Sequence, residues 1–385
     1  MKRKHIVIAL LVIFGTIGVY VSIPQNQYIV RALIHQRPDI DDYKIFANRT
    51  IEMGEAQHWQ QHVLYNSYDL SIEERAILES YKTVSYLVAR DSQLLFEAYW
   101  DGYGPESLSN SFSMAKSIVS LLIGCAIDDG FIKSLDQPVA DFIPEFKNDE
   151  RSKITIRHLL LMSSGLSWDE AYASLFSITT QAYYGKDVRS LAVNQSVITE
   201  PGKAYNYLSG DTQLLSLIVA KATGKTLSEY ASERIWKRIG AEHDAIWSLD
   251  KEGGYEKAYC CFNSNARDFA RFGILMLNNG KWGNDQVISE EYVNASLAPA
   301  TFLTDPELGG KPNERYGYQW WITKHKGYDI KFARGIKGQY IFIIPELRLV
   351  AVRLGHTRSE ERIEGNPIDI FQFLDIAISI NSAAN

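Results

Sequence analysis

The spacing of apolar and polar positions divides this chain of 385 residues into stretches of different character. Residues 25–80 mix polar and apolar side chains without a clear period, which predicts a stalk leading into irregular structure packed on the body. From Thr83 the chain turns β-rich: 84–88 and 94–99 are runs of strand-forming side chains on either side of 89–93, where Asp91 and Ser92 favour a turn. A hairpin follows from that pattern. Residues 113–128 carry helix formers with apolar side chains on most faces and stop at Gly130, so they predict a buried helix.

The middle of the chain reads as helical: 156–162 capped by Thr155, 212–222 opened by Asp211, a segment to Arg238 opened by Thr226 or Ser228, and 266–277 stopped by Asn278, Asn279 and Gly280. After Arg315 strands return at 316–322, 330–333, 339–344 and 347–353, before a last helix from Pro367 to about residue 380. Strands at both ends with helices between predict an α+β, multi-domain fold: one sheet drawn from both ends of the chain, flanked by helices, with an inserted helical lobe. The expected divisions are an N-terminal segment at 1–24, the stalk at 25–80, an α/β lobe from 81–130 and 300–385, and the mainly helical insertion at 131–299.

The N-terminal segment has its own pattern. The basic cap Met1-Lys2-Arg3-Lys4 precedes an uncharged apolar run at 6–23, then Pro24 and polar sequence. A run of that length predicts a membrane anchor with its basic flank in the cytoplasm and the body outside it, in the periplasm or another extracytoplasmic space. The alternative is a signal peptide that is cleaved to release the body, although no A-x-A-like site follows the run.

Composition adds mainly exclusions. With 46% hydrophobic and 22% charged residues the chain is ordinary globular material, and its net charge of −6 carries no basic stripe for a nucleic-acid backbone. The three cysteines form no CxxC pair, and adjacent Cys260 and Cys261 bridge only with backbone strain, so no disulfide framework is expected. No HExxH or Cys/His cluster has metal spacing, so no metal site is expected and catalysis would fall to side chains alone.

Candidate chemistry begins at Ser113-Met114-Ala115-Lys116, a Ser-x-x-Lys at the mouth of the predicted buried helix. Residues three apart share a helix face, so the Lys116 amine reaches the Ser113 hydroxyl, and burial inclines a lysine to accept a proton. Such a neighbour activates a weak serine nucleophile, while the free N–H groups of the helix mouth stabilise charge developing on a carbonyl oxygen. A second match, Ser248 to Lys251, runs into Gly253 and Gly254 and reads as a loop. A serine capping a core helix with a solvated lysine is the plain structural alternative for the first.

Other features carry less. Gly224-Lys225-Thr226 lacks the first glycine of a phosphate loop because Val219 stands there, and no Gly-x-Ser-x-Gly elbow occurs. Strand alternation would put Tyr318 and Trp320 on one face and Trp321 on the other, for the core or for one wall of a cleft. Asp169 and Glu170 read as solvated or capping carboxylates in a loop, not as an acid/base pair.

The stretches SFSMAKSIVSLLIGCAIDDGFIKSLDQPV, ITIRHLLLMSSGLSW and PGKAYNYLSGDTQLLSLIVAKATGKTL together resemble the class C β-lactamase-related family, which includes carboxylesterases and aminohexanoate-oligomer hydrolases. The resemblance runs from about residue 83 to about 380 and implies the β-lactamase/D,D-peptidase-like fold. It makes Ser113 the nucleophile and Lys116 its partner, and it matches the family's Tyr-x-Asn motif to Tyr207-Leu208-Ser209, with Ser209 in place of asparagine. Tyr207 is then the phenolic general base, its pKa lowered by the lysine cation, and Tyr205 is a nearby decoy. The third motif, Lys-Thr-Gly or His-x-Gly, is replaced within residues 332–340; the strand contact is placed near 333–336, with the Ile336 N–H, beside Gly335, joining the Ser113 N–H in an oxyanion hole. Arg334 is the charge left nearby for a substrate carboxylate.

The resemblance implies a serine hydrolase that cleaves small-molecule esters or amides through an acyl-enzyme, with no cofactor, no nucleic-acid partner and a membrane contact through residues 6–23. Two rivals remain open: a penicillin-binding D,D-peptidase or β-lactamase, and a non-catalytic membrane-tethered binding protein on the same scaffold.

Overall fold

The computed structural model describes residues 2–384; Met1 of the basic cap lies outside them. The chain opens with helix α1 (Lys2–Ser22), which covers most of the predicted apolar run and leaves Ile6, Val7, Leu11, Val12 and Val19 exposed. Among the described residues, no helix is long and apolar enough to cross a membrane.

Residues 25–80 correct the expectation of a stalk. Helix α2 (Gln27–His35) buries Tyr28, Ile29 and Ala32, strand β1 (Asn48–Ile51) joins a small sheet, and α3 (Ile72–Ser80) starts on a complete capping box from Ser71 and Glu74. The apolar positions there are too few per turn to show a period, yet enough to dock each short element on the body.

Strands β2 (Thr83–Arg90) and β3 (Gln93–Tyr99) form the predicted hairpin, turning at Asp91 and Ser92, both with positive φ. After β4 (Ser109–Asn110) comes α4 (Met114–Asp128), whose residues from Met114 to Ala126 are all buried. The middle supplies α5 (Ile156–Leu160) on a Thr155 cap, then α6 (Ile178–Tyr184) and α7 (Val188–Val193). Helix α8 (Ser209–Thr223) begins before Asp211, which lies inside its first turn and accepts from the Ser164 hydroxyl at 2.6 Å instead of opening the helix. Thr226 caps α9 (Leu227–Ala231), which continues as a π-helical turn to Trp236.

Strands β5 (Ala245–Ser248) and β6 (Phe262–Ser264) complete the small sheet in the order β1-β5-β6-β4. Helix α10 (Ala266–Leu277) has the predicted bounds, and its Gly273 lets it lie close on the large sheet: a Cβ there would stand 2.5 Å from Val350. Helix α11 (Glu290–Ser296) follows.

The large sheet is completed by β7 (Trp321–His325), β8 (Tyr328–Gly335), β9 (Gln339–Ile344) and β10 (Leu349–Gly355), and α12 (Asp369–Ala383) closes the chain. Its order, β7-β8-β9-β10-β2-β3, is antiparallel throughout and joins strands from both ends of the sequence, as the α+β pattern predicts. One expected strand is shortened. Residues 316–320 form a loop in which Gln319 takes φ +63°, so Tyr318, Trp320 and Trp321 do not alternate across a strand, and all three are buried.

Candidate active site

Short β4 pairs with β6 and delivers the chain to the mouth of α4. Phe112 there adopts φ +43° while its N–H donates to Asn110 Oδ1 at 2.9 Å, and the turn sets Ser113 at the N-cap of the helix. The Ser113 N–H has no acceptor among the described residues. One turn on, Lys116 is 1% exposed, with Nζ donating to Ser113 Oγ at 3.2 Å and to the Tyr259 carbonyl at 2.9 Å. Burial pushes the Lys116 pKa down to about 8, and the Glu170 carboxylate partly opposes that shift.

Tyr207 precedes α8 and faces the same pair, its ring centroid 5.0 Å from Lys116 Nζ and its phenol close enough to Ser113 for that hydroxyl to lower its pKa. Trp321 supports the ring at 5.5 Å, and Arg334 lies 3.4 Å over Trp321. Burial raises the Tyr207 pKa, outweighing the Ser113 hydrogen bond that lowers it. With its pKa raised, the tyrosine is a neutral phenol at rest. Tyr205 is buried against Tyr316 with its hydroxyl unpaired, away from the nucleophile's contacts.

Glu170 corrects its reading as a solvated loop carboxylate. It accepts from both the N–H and the hydroxyl of Ser209 and from the Tyr172 hydroxyl, and it interacts electrostatically with Lys116. Burial raises its own pKa while the lysine cation lowers it. Asp169, by contrast, is a capping residue whose carboxylate accepts from the Ala171 and Ile178 N–H groups.

Gly335, at the end of β8, packs against the turn that carries the nucleophile; a Cβ there would meet the Ser111 carbonyl oxygen at 2.3 Å. Ile336 follows and lines a cavity of about 620 Å³ together with Ser113, Ser209, Tyr172, Tyr259 and Arg358. Arg334 hydrogen-bonds Asn366 Oδ1 at 3.3 Å. Neither the Tyr259 carbonyl nor Arg358 was visible in the sequence, since a backbone oxygen carries no residue signature and a lone arginine after a strand has no motif.

The cysteines also differ from expectation. Cys260 and Cys261 are joined in a disulfide, with Cys261 at φ +69°, a region non-glycine residues rarely adopt, while Cys125 is free and buried. The bridge therefore comes with the unusual backbone that adjacent cysteines require, at a position buried on both sides of Cys261.

A serine at a helix mouth, a buried lysine one turn away, a tyrosine across from both and an antiparallel sheet from both chain ends define a serine hydrolase of the penicillin-recognising type. The Beta-lactamase family model matches residues 73–371, and the chain belongs to that family. It is 28% identical over 296 residues to the 6-aminohexanoate-dimer hydrolase of Paenarthrobacter ureafaciens, covering 74% of each chain. Among solved structures it is similar to a proposed 6-aminohexanoate-dimer hydrolase from Bacillus anthracis, with a TM-score of 0.71, 22% identity and coverage of 90% of this chain and 93% of that one. A family VIII carboxylesterase gives a TM-score of 0.60 at 19% identity, over 80% of this chain and 95% of that one.

Proposed function

We propose that the protein hydrolyses the amide or ester bond of a small substrate through an acyl-enzyme on Ser113. The observation that carries this reading is the contact of Lys116 Nζ with Ser113 Oγ at 3.2 Å, made by a lysine whose burial brings its pKa down to about 8. Neutral Lys116 takes the serine proton, directly or through the Tyr207 hydroxyl, as Oγ attacks the carbonyl carbon. The Ser113 N–H, with that of Ile336, holds the oxyanion. The proton returns to the leaving amine or alcohol, and a water activated by the same groups then releases the acid. Similarity to the Paenarthrobacter 6-aminohexanoate-dimer hydrolase favours a small amide of that kind as substrate.

We also place the body at the outer face of a membrane, a reading supported by the charge of Lys4 ahead of the exposed apolar side chains of α1. Fractionation of cells expressing the full chain, with protease protection, tests that placement.

Steady-state hydrolysis of short p-nitrophenyl esters and of linear aminohexanoate amides tests the chemistry. Turnover by the wild type that is lost in Ser113→Ala is expected; equal turnover by both proteins overturns the proposal. Accumulation of a penicillin adduct on Ser113 would shift the assignment to the cell-wall enzymes.

A further inference from the structure

The Cys260–Cys261 bridge begins one residue after Tyr259, whose carbonyl is the shorter of the two contacts made by Lys116 Nζ. We infer that this disulfide is a positioning element for Lys116: it fixes the Tyr259 carbonyl against the lysine, so that its reduction by a dithiol slows acylation of Ser113. The inference rests on the reading of Ser113 and Lys116 as the acylating pair.

The backbone explains the coupling. Downstream of the bridge the chain is held, since the Cys261 carbonyl accepts from Ser248 N at 2.9 Å and from Asn263 Nδ2 at 2.8 Å. The Cys260 carbonyl accepts from Trp247 Nε1 at 2.9 Å. A disulfide between neighbours closes a ring across their shared peptide and restricts the torsions on either side of it. Once the ring opens, Cys261 is free to leave its left-handed φ of +69°. With the Cys261 carbonyl anchored, that rotation passes upstream into the Tyr259 peptide at the expense of the Trp247 bond to the Cys260 carbonyl and of the Cys260 N–H bond to the Lys257 carbonyl.

Lys116 is faced by the Ser113 hydroxyl, the Tyr259 carbonyl, the rings of Tyr207 and Tyr259, and the Glu170 carboxylate. Removing the carbonyl takes one acceptor from the ammonium, so the lysine gives up its proton at lower pH while losing its aim at Ser113. Cys260 lines the catalytic cavity, which admits a small reductant. A reductant thiolate attacks the Cys260 sulfur, the Cys261 thiolate leaves, and the second thiol of the reductant closes to its own disulfide; two electrons move and two protein thiols form.

The test uses the full chain, oxidised and dithiothreitol-treated, with free thiols counted by alkylation and intact mass, and with the rate of fluorophosphonate labelling followed against pH. We expect one thiol before treatment, from Cys125, and three after it. Labelling should slow about tenfold or more on reduction, as for other misplacements of a catalytic group, its acid limb should move to lower pH, and reoxidation should restore both. A Cys125→Ser chain should show the same change in labelling rate and profile, with no free thiol before treatment and two after it. The Cys260→Ser/Cys261→Ser double variant should resemble the reduced form, and the reversible wild-type cycle decides the matter if that variant fails to fold. Three thiols before treatment, or one rate and profile for both forms, overturns the inference alone. No labelling of either form overturns the hydrolase reading and this role with it.

Discussion

The Glu170 carboxylate accepts two hydrogen bonds from Ser209, one from its N–H and one from its hydroxyl. Through that contact a carboxylate 39 residues earlier in the chain is held beside Lys116 and raises its pKa. Glu170→Gln removes the negative charge, so the acid limb of kcat should move to lower pH than in the wild type. A pH profile that does not move would show that Glu170 only braces the loop.

Burial raises the Tyr207 pKa, which favours the relay role proposed for it over that of a phenolate base. Activity should rise with pH as Lys116 deprotonates near 8 and should show no further rise from a tyrosine below the ordinary phenol range. Tyr207→Phe should lower kcat by about 10²–10⁴-fold, the usual worth of a general acid–base group, while the inflection near that lysine value stays. Rate measurements on both proteins between pH 6 and pH 10 check this.

Lys116→Met should exchange activity for stability. Its folded pKa of about 8 lies below the ordinary 10.5, so the folded state holds the proton more weakly than the unfolded chain. Below pH 8 both states are protonated and the full cost of the buried charge applies, at most about 3 kcal/mol. That cost shrinks as pH rises toward 10.5 and then vanishes. Lys116→Met should therefore raise Tm at pH 7, with the advantage narrowing by pH 10, and should abolish turnover. Thermal melts at the two pH values give the comparison.

At Gly335 the backbone φ of −117° suits any residue, so Gly335→Ala tests close approach alone. The added Cβ would stand 2.3 Å from the Ser111 carbonyl oxygen and must push β8 away from the nucleophile turn. Loss of kcat and a lower Tm are expected together. Unchanged activity would remove the end of β8 from the oxyanion site.

The large elements were legible because their signals are local. Residues 113–128 and 266–277 show their periods and stops in one window, and the 84–99 hairpin shows its turn. What the sequence hid depends on closure in space. The two carboxylates at 169 and 170 look alike in a polar loop, and only the fold turns Asp169 to cap local N–H groups and Glu170 toward Ser209 and Lys116. Residues 316–320 have strand composition, yet the left-handed turn at Gln319 ends the strand at Trp321. The region at 25–80 hid its helices because each is short and packs only a few side chains. The sign at Tyr207 depends on how far the fold withdraws its hydroxyl from water, which no motif records.

Intact mass of the full chain after exposure to a fluorophosphonate, beside Ser113→Ala and Lys116→Met, tests the central claim most directly. One adduct on the wild type, none on Ser113→Ala and a strongly slowed adduct on Lys116→Met is the predicted result. An unmodified folded wild type, or an adduct that persists in Ser113→Ala, would contradict it.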